Sequence, residues 1–191
     1  MIPDSRVIIA PEDVARDSQS LGTFTLNELY RRKVGDYPKF FKMDPLCKLA
    51  FLGAELLLGY MDLKKKRNGA VILFNREGSL HTDRNYQKTL AEDNYFPSPA
   101  LFVYTLANIA TGEIAIRHKI QGETSFYIME DYDEREMEAI IKSTFQTSNP
   151  SFILTGWVEY HSDTDYFADM QLYSRPLPHK PSTSKKNKWT N

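Results

Sequence analysis

The run Gly69-Ala-Val-Ile-Leu-Phe-Asn75 is the stretch that decides the fold. It is continuously apolar and has the length of a β-strand, with turn-forming polar residues after it. An uninterrupted apolar strand is typical of the centre of a sheet that is covered on both faces, because neither row of its side chains suits contact with water. We therefore predict a layered domain built around this strand, with helices on both faces of the sheet.

The clearest helix precedes this strand and runs from Asp44 to Met61. Asp44 suits the N-cap and Pro45 the first helical position, and the following apolar residues recur at helical spacing. Gly53 and Ala54 lie on that apolar stripe, so we expect a close approach of the helix backbone to a neighbouring element. Further upstream, Arg6 to Ala10 predicts a buried strand and Leu26 to Arg32 a short helix.

The elements after the central strand alternate between helix and strand. We predict a short helix over Asp83 to Glu92 and a longer one from Pro97 and Pro99 to about His118. A strand is predicted from Thr124 to Met129, and a helix begins in the acidic run Glu130 to Glu138, because acids favour the first turn. The longer helix is expected to bury Leu101, Phe102, Leu106, Ile109 and Ile116. Two final strands, Ser151 to Tyr160 and Tyr166 to Tyr173, flank a turn at Ser162 to Asp165.

This element order favours an α/β domain with a mostly parallel, mixed sheet of five strands that ends in one antiparallel pair. With 191 residues, 41% of them hydrophobic, the chain suits one domain, which we place at residues 1–175. All acids precede Pro176, whereas four lysines follow it, so residues 176–191 are predicted to be a basic disordered tail. The net charge of −1 excludes a global field for nucleic acid or anionic lipid.

Known chemical motifs are largely missing from the sequence. Nucleotide-binding glycine loops are absent, the four histidines lie in separate segments, and no cofactor or metal site is predicted. His161 to Asp165 superficially suggests calcium ligands but suits a polar turn better. The single cysteine, Cys47, is expected to be a buried and inert thiol, and a cytoplasmic location is the default. The longest uncharged run, Asn94 to Gly112, is too polar to span a membrane.

Three segments of the sequence are informative through their order and spacing. Phe40-Phe41-Lys42-Met43-Asp44 leads into the first long helix, Phe96 to Ile116 is followed by Gly122, and Ser151 to Glu159 forms a later strand. In order and spacing they resemble the N-terminal half of the β-ketoacyl synthases, the condensing enzymes of fatty-acid and polyketide synthesis. The resemblance covers about Val7 to Tyr173. It implies the βαβαβαββ half of the thiolase-like fold.

The chain departs from this family at the catalytic residues. In the family, the strand after the glycine ends at a cysteine nucleophile, where backbone amides favour thiolate and oxyanion. The equivalent region here is Met129, Glu130 and Asp131, with no cysteine. The family's two catalytic histidines belong to its C-terminal half, which has no counterpart in this sequence. The resemblance therefore implies a scaffold without the ketosynthase Cys-His-His machinery and with no predicted catalytic residue.

The resemblance also implies a partner. In the family, the strand before the nucleophile pairs with its counterpart across a dimer, so Phe126, Tyr127, Ile128 and Met129 are the predicted dimer edge. We expect a homodimer, or a heterodimer with a full-length ketosynthase, and contact with an acyl carrier protein. A pocket for an acyl chain is predicted at Tyr104 and Leu106, together with Phe126 and Ile128.

The main hypothesis is thus a non-catalytic accessory subunit, similar to a chain length factor, in bacterial fatty-acid, polyketide or aryl-polyene assembly. An alternative is a small repurposed enzyme or acyl-binding protein with a remodelled pocket near Glu130 and Asp131, which as an acid or base would need burial. A third hypothesis makes the lysine-rich tail an adaptor for nucleic acid or membrane, although four lysines give only a weak, salt-sensitive attraction.

Overall fold

The computed structural model describes residues 1–90 and 95–175 of the chain. Within this part, the strands are β1 (Ser5–Ile9), β2 (Val14–Arg16), β3 (Gln19–Gly22), β4 (Gly69–Asn75), β5 (Thr124–Ile128), β6 (Phe152–Ser162) and β7 (Asp165–Ser174). The helices are α1 (Leu26–Lys33), α2 (Pro45–Leu58), α3 (Leu63–Lys66), α4 (Leu80–Gln87), α5 (Pro99–Tyr104), α6 (Ile109–His118) and α7 (Glu134–Thr147). Short 3₁₀ turns cover Pro38–Lys42 and Lys88–Leu90. The predicted basic tail, 176–191, lies outside the described residues.

The strands form one sheet in the order β3-β2-β1-β7-β6-β4-β5. Strand β4 pairs in parallel with β5 and with β6, and the other neighbours pair antiparallel. The α/β class is confirmed, but the predicted five-stranded, mostly parallel sheet is wrong, since seven strands are present and most pairs are antiparallel. Helices connect β3 to β4, β4 to β5 and β5 to β6, and each of these crossovers returns the chain in the same direction, whereas short turns join β1 to β2, β2 to β3 and β6 to β7 in antiparallel pairs.

The two missed strands form a hairpin next to β1. Asp17 and Ser18 connect β2 to β3, and both have positive φ angles, 50° and 67°. Two consecutive positive φ angles are typical of the type I′ turn, whose twist matches that of a hairpin. The usual sequence signal for this turn is Asn-Gly or Asp-Gly, and an Asp-Ser pair does not provide it. The segment between Pro11 and Leu21 therefore looks like a polar loop in the sequence.

Strand β4 is the centre of two hydrophobic layers, as predicted. All seven of its residues are buried. Val71 and Leu73 belong to the larger core cluster, which includes most of α2, and the opposite face of β4 packs against α7. The cluster on the α7 side contains Ala70, Ile72, Phe74, Met137, Ile141 and Phe145. Helices therefore cover both faces of the sheet.

Helix α2 lies against the sheet at very short range. Asp44 caps its first turn by accepting a hydrogen bond from the backbone N–H of Cys47 at 2.9 Å, as predicted. Gly53 faces Met170 of β7 so closely that a β-carbon at residue 53 would overlap the Met170 side chain. The same helix buries Cys47, and burial raises the pKa of its thiol. The expected close approach at Gly53 is therefore confirmed.

The predicted helix from Pro97 to His118 is interrupted. The structure contains α5 and α6 instead, separated by Thr105 to Asn108, and the carbonyl oxygen of Thr105 accepts a hydrogen bond from the Ser79 hydroxyl. Phe102, Leu106 and Ile116 are 52%, 52% and 56% exposed, so the prediction that they are buried is wrong. A continuous helix would have pointed them at the core, whereas the break turns Leu106 outward. The shorter helix predicted over Asp83 to Glu92 begins earlier, at Leu80, and residues 91 and 92 lie outside the described ranges.

A buried ionic network ties α6 to α2. The guanidinium of Arg117 donates to the Glu55 carboxylate at 2.7 Å and to Asp36 at 2.6 Å, and His118 Nε2 lies 3.2 Å from Glu55. Burial alone would raise the pKa of Glu55, but the close approach of the His118 and Arg117 side chains outweighs it and lowers the pKa to about 2. Because α6 leads directly into β5, this network also fixes where β5 begins.

A pair of glycine variants tests the close packing of the sheet. A β-carbon at Gly156 in β6 would lie 2.6 Å from the Asp169 carbonyl oxygen and 2.8 Å from the Met170 α-carbon. These are backbone atoms that cannot move away independently, so we expect Gly156→Ala to lower the free energy of unfolding by more than about 2 kcal/mol. Gly112 lies within α6 with open space around it, and Gly112→Ala should raise stability by about 0.5–1 kcal/mol. Equal effects in denaturant titrations would contradict this packing.

The Glu55 network predicts a specific dependence of stability on pH. The folded-state pKa is depressed below 4.5, so the stabilisation is present above about pH 4.5 and is lost as the pH falls towards about 2. Glu55→Gln should lower the unfolding free energy by about 3 kcal/mol near neutral pH, because it leaves Arg117 without its buried partner. The difference from wild type should shrink in denaturant titrations as the pH is lowered. Glu130→Gln, at an exposed position, is the control. If the loss of unfolding free energy in Glu55→Gln stayed constant with pH, the lowered pKa of Glu55 would be refuted.

Candidate functional site

Strand β5 is the last strand of the sheet and has β4 as its only neighbour in the described part of the chain. The backbone N–H of Val71 donates to the carbonyl of Glu123, and the N–H of Met129 donates to the carbonyl of Asn75, both at 2.9 Å. Backbone groups alternate in direction along a strand, so those of Thr124, Phe126 and Ile128 point away from β4. The predicted dimer edge thus coincides with an open row of donors and acceptors.

An open groove of about 700 Å³ runs along this edge. Its walls are β5, the connection between α5 and α6, and the first residues after β4. Leu106, Phe126 and Ile128 all line it, although Leu106 is twenty residues from Phe126 in the sequence. The structure therefore brings together three of the four residues of the predicted acyl pocket.

The fourth residue, Tyr104, is buried and does not line the groove. Its hydroxyl lies 3.4 Å from the carboxylate of Glu113, which also forms a 2.6 Å ion pair with Lys39. Burial, with the nearby Glu113 charge, raises the pKa of Tyr104. Tyr104 thus anchors α5 to the core.

Apolar exposure continues from the groove onto α5. Phe102 and Val103 are 52% and 45% exposed, and Ile128 on β5 is 65% exposed. Phe102 makes a tilted contact with Tyr86 of α4, with 5.5 Å between the ring centroids. Groups of exposed apolar side chains are typical of binding surfaces.

The residues predicted to correspond to the nucleophile region, Met129, Glu130 and Asp131, lie where β5 ends. Met129 is half-buried against the α7 cluster, while Glu130 and Asp131 are exposed. The Asp131 carboxylate accepts a hydrogen bond from the Arg76 guanidinium at 2.8 Å. An acid or base role needs a carboxylate shielded from water, and neither side chain has that environment. The only thiol of the chain, Cys47, is buried in α2.

A polar cluster that the sequence did not reveal lies at the carboxyl ends of β4 and β6. The backbone N–H of Arg76 donates to the Glu159 carboxylate, and burial raises the pKa of Glu159. Glu77 lies 3.2 Å from Nδ1 of His161. Parallel strands place their carboxyl ends along one edge of a sheet, and this was the signal that could have located the cluster.

Two of the four histidines, His81 and His161, come together in this cluster although they lie in separate segments of the sequence. His81 Nδ1 lies 3.0 Å from the carbonyl oxygen of His161, and Nε2 lies 3.0 Å from the Asn85 amide. A carbonyl oxygen can only accept, so Nδ1 carries the hydrogen and Nε2 accepts from Asn85. The Nδ1 hydrogen bond fixes α4 against β6, and the Nε2 hydrogen bond to Asn85, within α4, holds the ring in that orientation.

The segment His161 to Asp165, which resembles a calcium loop in sequence, contains the turn between β6 and β7, as predicted. Ser162 pairs with Asp165, and Asp163 accepts a hydrogen bond from the Tyr160 hydroxyl at 2.6 Å. Across residues 1–90 and 95–175, no three His, Cys, Asp or Glu side chains are grouped as metal ligands. None of the helices in these ranges is long and apolar enough to cross a membrane.

Comparison with known proteins identifies the fold. No protein-family model and no curated protein matches the sequence. Among solved structures, a chain of the complex between the ketosynthase ApeO and its chain length factor ApeC, from Xenorhabdus doucetiae, matches with a TM-score of 0.65 and 15% identity, over 93% of this chain and 81% of that chain. The ishigamide ketosynthase/chain length factor matches with a TM-score of 0.70 and 13% identity, over 91% of this chain and 62% of that chain.

At such low identities the likeness shows the fold alone. This chain spans less than two thirds of the matched chain of the ishigamide structure. The predicted resemblance to the ketosynthases is confirmed at this level, since nearly the whole chain superimposes on proteins of that fold. The chain has the thiolase-like half-fold found in ketosynthase and chain length factor complexes.

Proposed function

We propose that the protein is a non-catalytic, ketosynthase-like accessory subunit that pairs through β5 with a full-length ketosynthase in bacterial acyl-chain assembly. The observation that carries this proposal is the free edge of β5 beside an apolar groove. An exposed edge strand is a template for pairing with another chain, and natural proteins usually protect such an edge. Here the backbone groups of Thr124, Phe126 and Ile128 are left to a partner.

The structural neighbours support the choice of partner. One of them is a chain of a complex between a ketosynthase and its chain length factor, and the other is described as a ketosynthase/chain length factor. A subunit that shares this fold and leaves β5 open is suited to the same kind of pairing. The exposed apolar residues of α5 would then be covered in the complex rather than left in water.

The composition of the site supports a non-catalytic role. By the resemblance to the ketosynthases, Met129, Glu130 and Asp131 correspond to the region of the nucleophile, and a carboxylate there would oppose a developing oxyanion. Cys47 is buried and its raised pKa disfavours the thiolate that acyl transfer needs. The complex would therefore rely on the partner for chemistry.

The groove favours a second contribution, which is contact with the acyl chain. Leu106, Phe126 and Ile128 offer an apolar wall, and its volume of about 700 Å³ is within the range of small-molecule sites. In a complex, the partner would close the open side of the groove. The subunit could in this way limit the space available to an acyl chain delivered by a carrier protein.

The pairing of β5 is tested by two variants at one position. Ile128→Pro removes a backbone N–H that points away from β4, so it should leave the fold intact while blocking the edge. Ile128→Ala trims the side chain but keeps the N–H. The partner for this test is the ketosynthase that co-purifies in stoichiometric amount from native cells. Light scattering after size exclusion should show that Ile128→Pro lowers the affinity for this ketosynthase roughly 100-fold and that Ile128→Ala lowers it far less. Similar affinities for both variants would contradict pairing through β5, and a protein recovered without a ketosynthase would contradict the proposed partner.

The isolated chain is expected to show no acyl-transfer activity. Incubated with an acyl thioester, it should form no covalent adduct by mass spectrometry and release no thiol above the uncatalysed rate, because its only cysteine is buried. Turnover that is lost in Glu130→Gln/Asp131→Asn would instead establish the repurposed-enzyme hypothesis. A matched check is Glu12→Gln, an exposed acid at the far end of the sheet.

A further inference from the structure

The free edge of β5 has acidic residues at both ends. Glu123 directly precedes the strand, and Glu130 and Asp131 follow it within three residues. The segment from Gly122 to Glu134 contains five acids and no lysine, arginine or histidine. Glu123 accepts hydrogen bonds from the hydroxyls of Ser125 and Ser148, neither of which neutralises its charge.

The groove beside the edge adds to this negative charge. Glu77 and Asp83 line it, and its described lining residues include no lysine or arginine. Two basic side chains near the edge are engaged: Arg67 donates to the Gln121 side chain at 2.7 Å, and Arg76 pairs with Asp131 at 2.8 Å. The Arg76–Asp131 pair is exposed to water and offsets only part of the acidic charge. A partner that approaches β5 therefore meets an acidic rim around an apolar centre.

Pairing of β5 with a second copy of the chain would bring like charges together. A closed two-fold dimer requires antiparallel pairing, which sets the start of one strand against the end of the other. With the axis at Tyr127, Glu123 comes opposite Asp131 of the second copy if the register is continued three residues past Ile128, where β5 ends. With the axis at Phe126, the same two residues are diagonal neighbours, at about 7–8 Å. Because of the two-fold symmetry, the contact between Glu123 and Asp131 occurs twice in either dimer, once at each end of the paired strands.

We infer that the acidic rim makes β5 select a different chain, one whose edge strand is flanked by lysine or arginine, over a second copy of itself. This inference rests on the proposed function, because it takes β5 as the pairing edge. Like charges placed opposite each other across two strands are destabilising, and opposite charges are stabilising. The apolar residues at the centre of the edge contribute most of the binding free energy, and the charged residues at its ends determine which chain binds.

Charge variants of the chain itself provide the probe. Glu123→Lys/Glu130→Lys/Asp131→Lys turns both ends of the edge basic and imitates the inferred partner. Wild type and this variant should each remain monomeric alone, whereas their equimolar mixture should dimerise with a dissociation constant at least roughly tenfold lower than either self-association. Sedimentation velocity measures all three. Raising the ionic strength from about 0.05 to about 1 M should weaken the mixed dimer.

A single variant gives an independent readout. Glu123→Lys places a lysine against Glu130 and Asp131 at both ends of a self-paired dimer, so this variant should homodimerise where wild type does not. Glu12→Lys carries the same change in charge on the connection between β1 and β2, at the other end of the sheet, and should behave as wild type. Circular dichroism and thermal melting confirm that each variant is folded.

Two results would overturn the inference. One is self-association of wild type as tight as that of the mixture, and the other is a mixture and a Glu123→Lys variant that both stay monomeric. Both results are independent of the effect of Ile128→Pro on the ketosynthase complex. That effect tests the proposed function separately. Conversely, a ketosynthase complex that is unaffected by Ile128→Pro would remove the proposed function even where the charge variants dimerise.

Discussion

The complete burial of β4 is the constraint on which the rest of the structure depends. Its backbone pairs with β5 and β6, and its two rows of side chains pack against α2 on one face and α7 on the other. A strand covered in this way needs parallel neighbours whose connections cross over the faces of the sheet as helices. The chain therefore leaves β4 through α4 to α6, returns as β5, and crosses by α7 to β6.

This arrangement places the candidate site. The two crossovers leave β5 at the margin of the sheet, and the carboxyl ends of β4, β5 and β6 lie along one side. Arg76, Asp131 and Glu159 meet there because each lies at or just beyond the end of a parallel strand. The break between α5 and α6 places Leu106 beside β5, and the groove lies between this connection and the strand.

The chain uses charge in two different environments. Around Glu55, buried between α2 and α6, opposite charges are paired at hydrogen-bond distance and fix one helix to the other. Around β5, acids of one sign border an exposed apolar edge and have few basic neighbours. The first arrangement contributes to stability within the molecule. The second contributes little to the fold and is better explained by the choice of what binds next to it.

Local sequence determined the elements whose signals lie within a few residues. The buried strand Gly69 to Asn75, the helix capped by Asp44 and the turn at Ser162 to Asp165 all follow from periodicity, capping and turn chemistry. Tertiary structure alone decided that β1 lies antiparallel to β7, that α5 and α6 are separate, and that His81 reaches His161. These outcomes depend on contacts between residues far apart in the chain, such as the Ser79 hydroxyl on the Thr105 carbonyl, and no local pattern encodes which distant group a segment will meet.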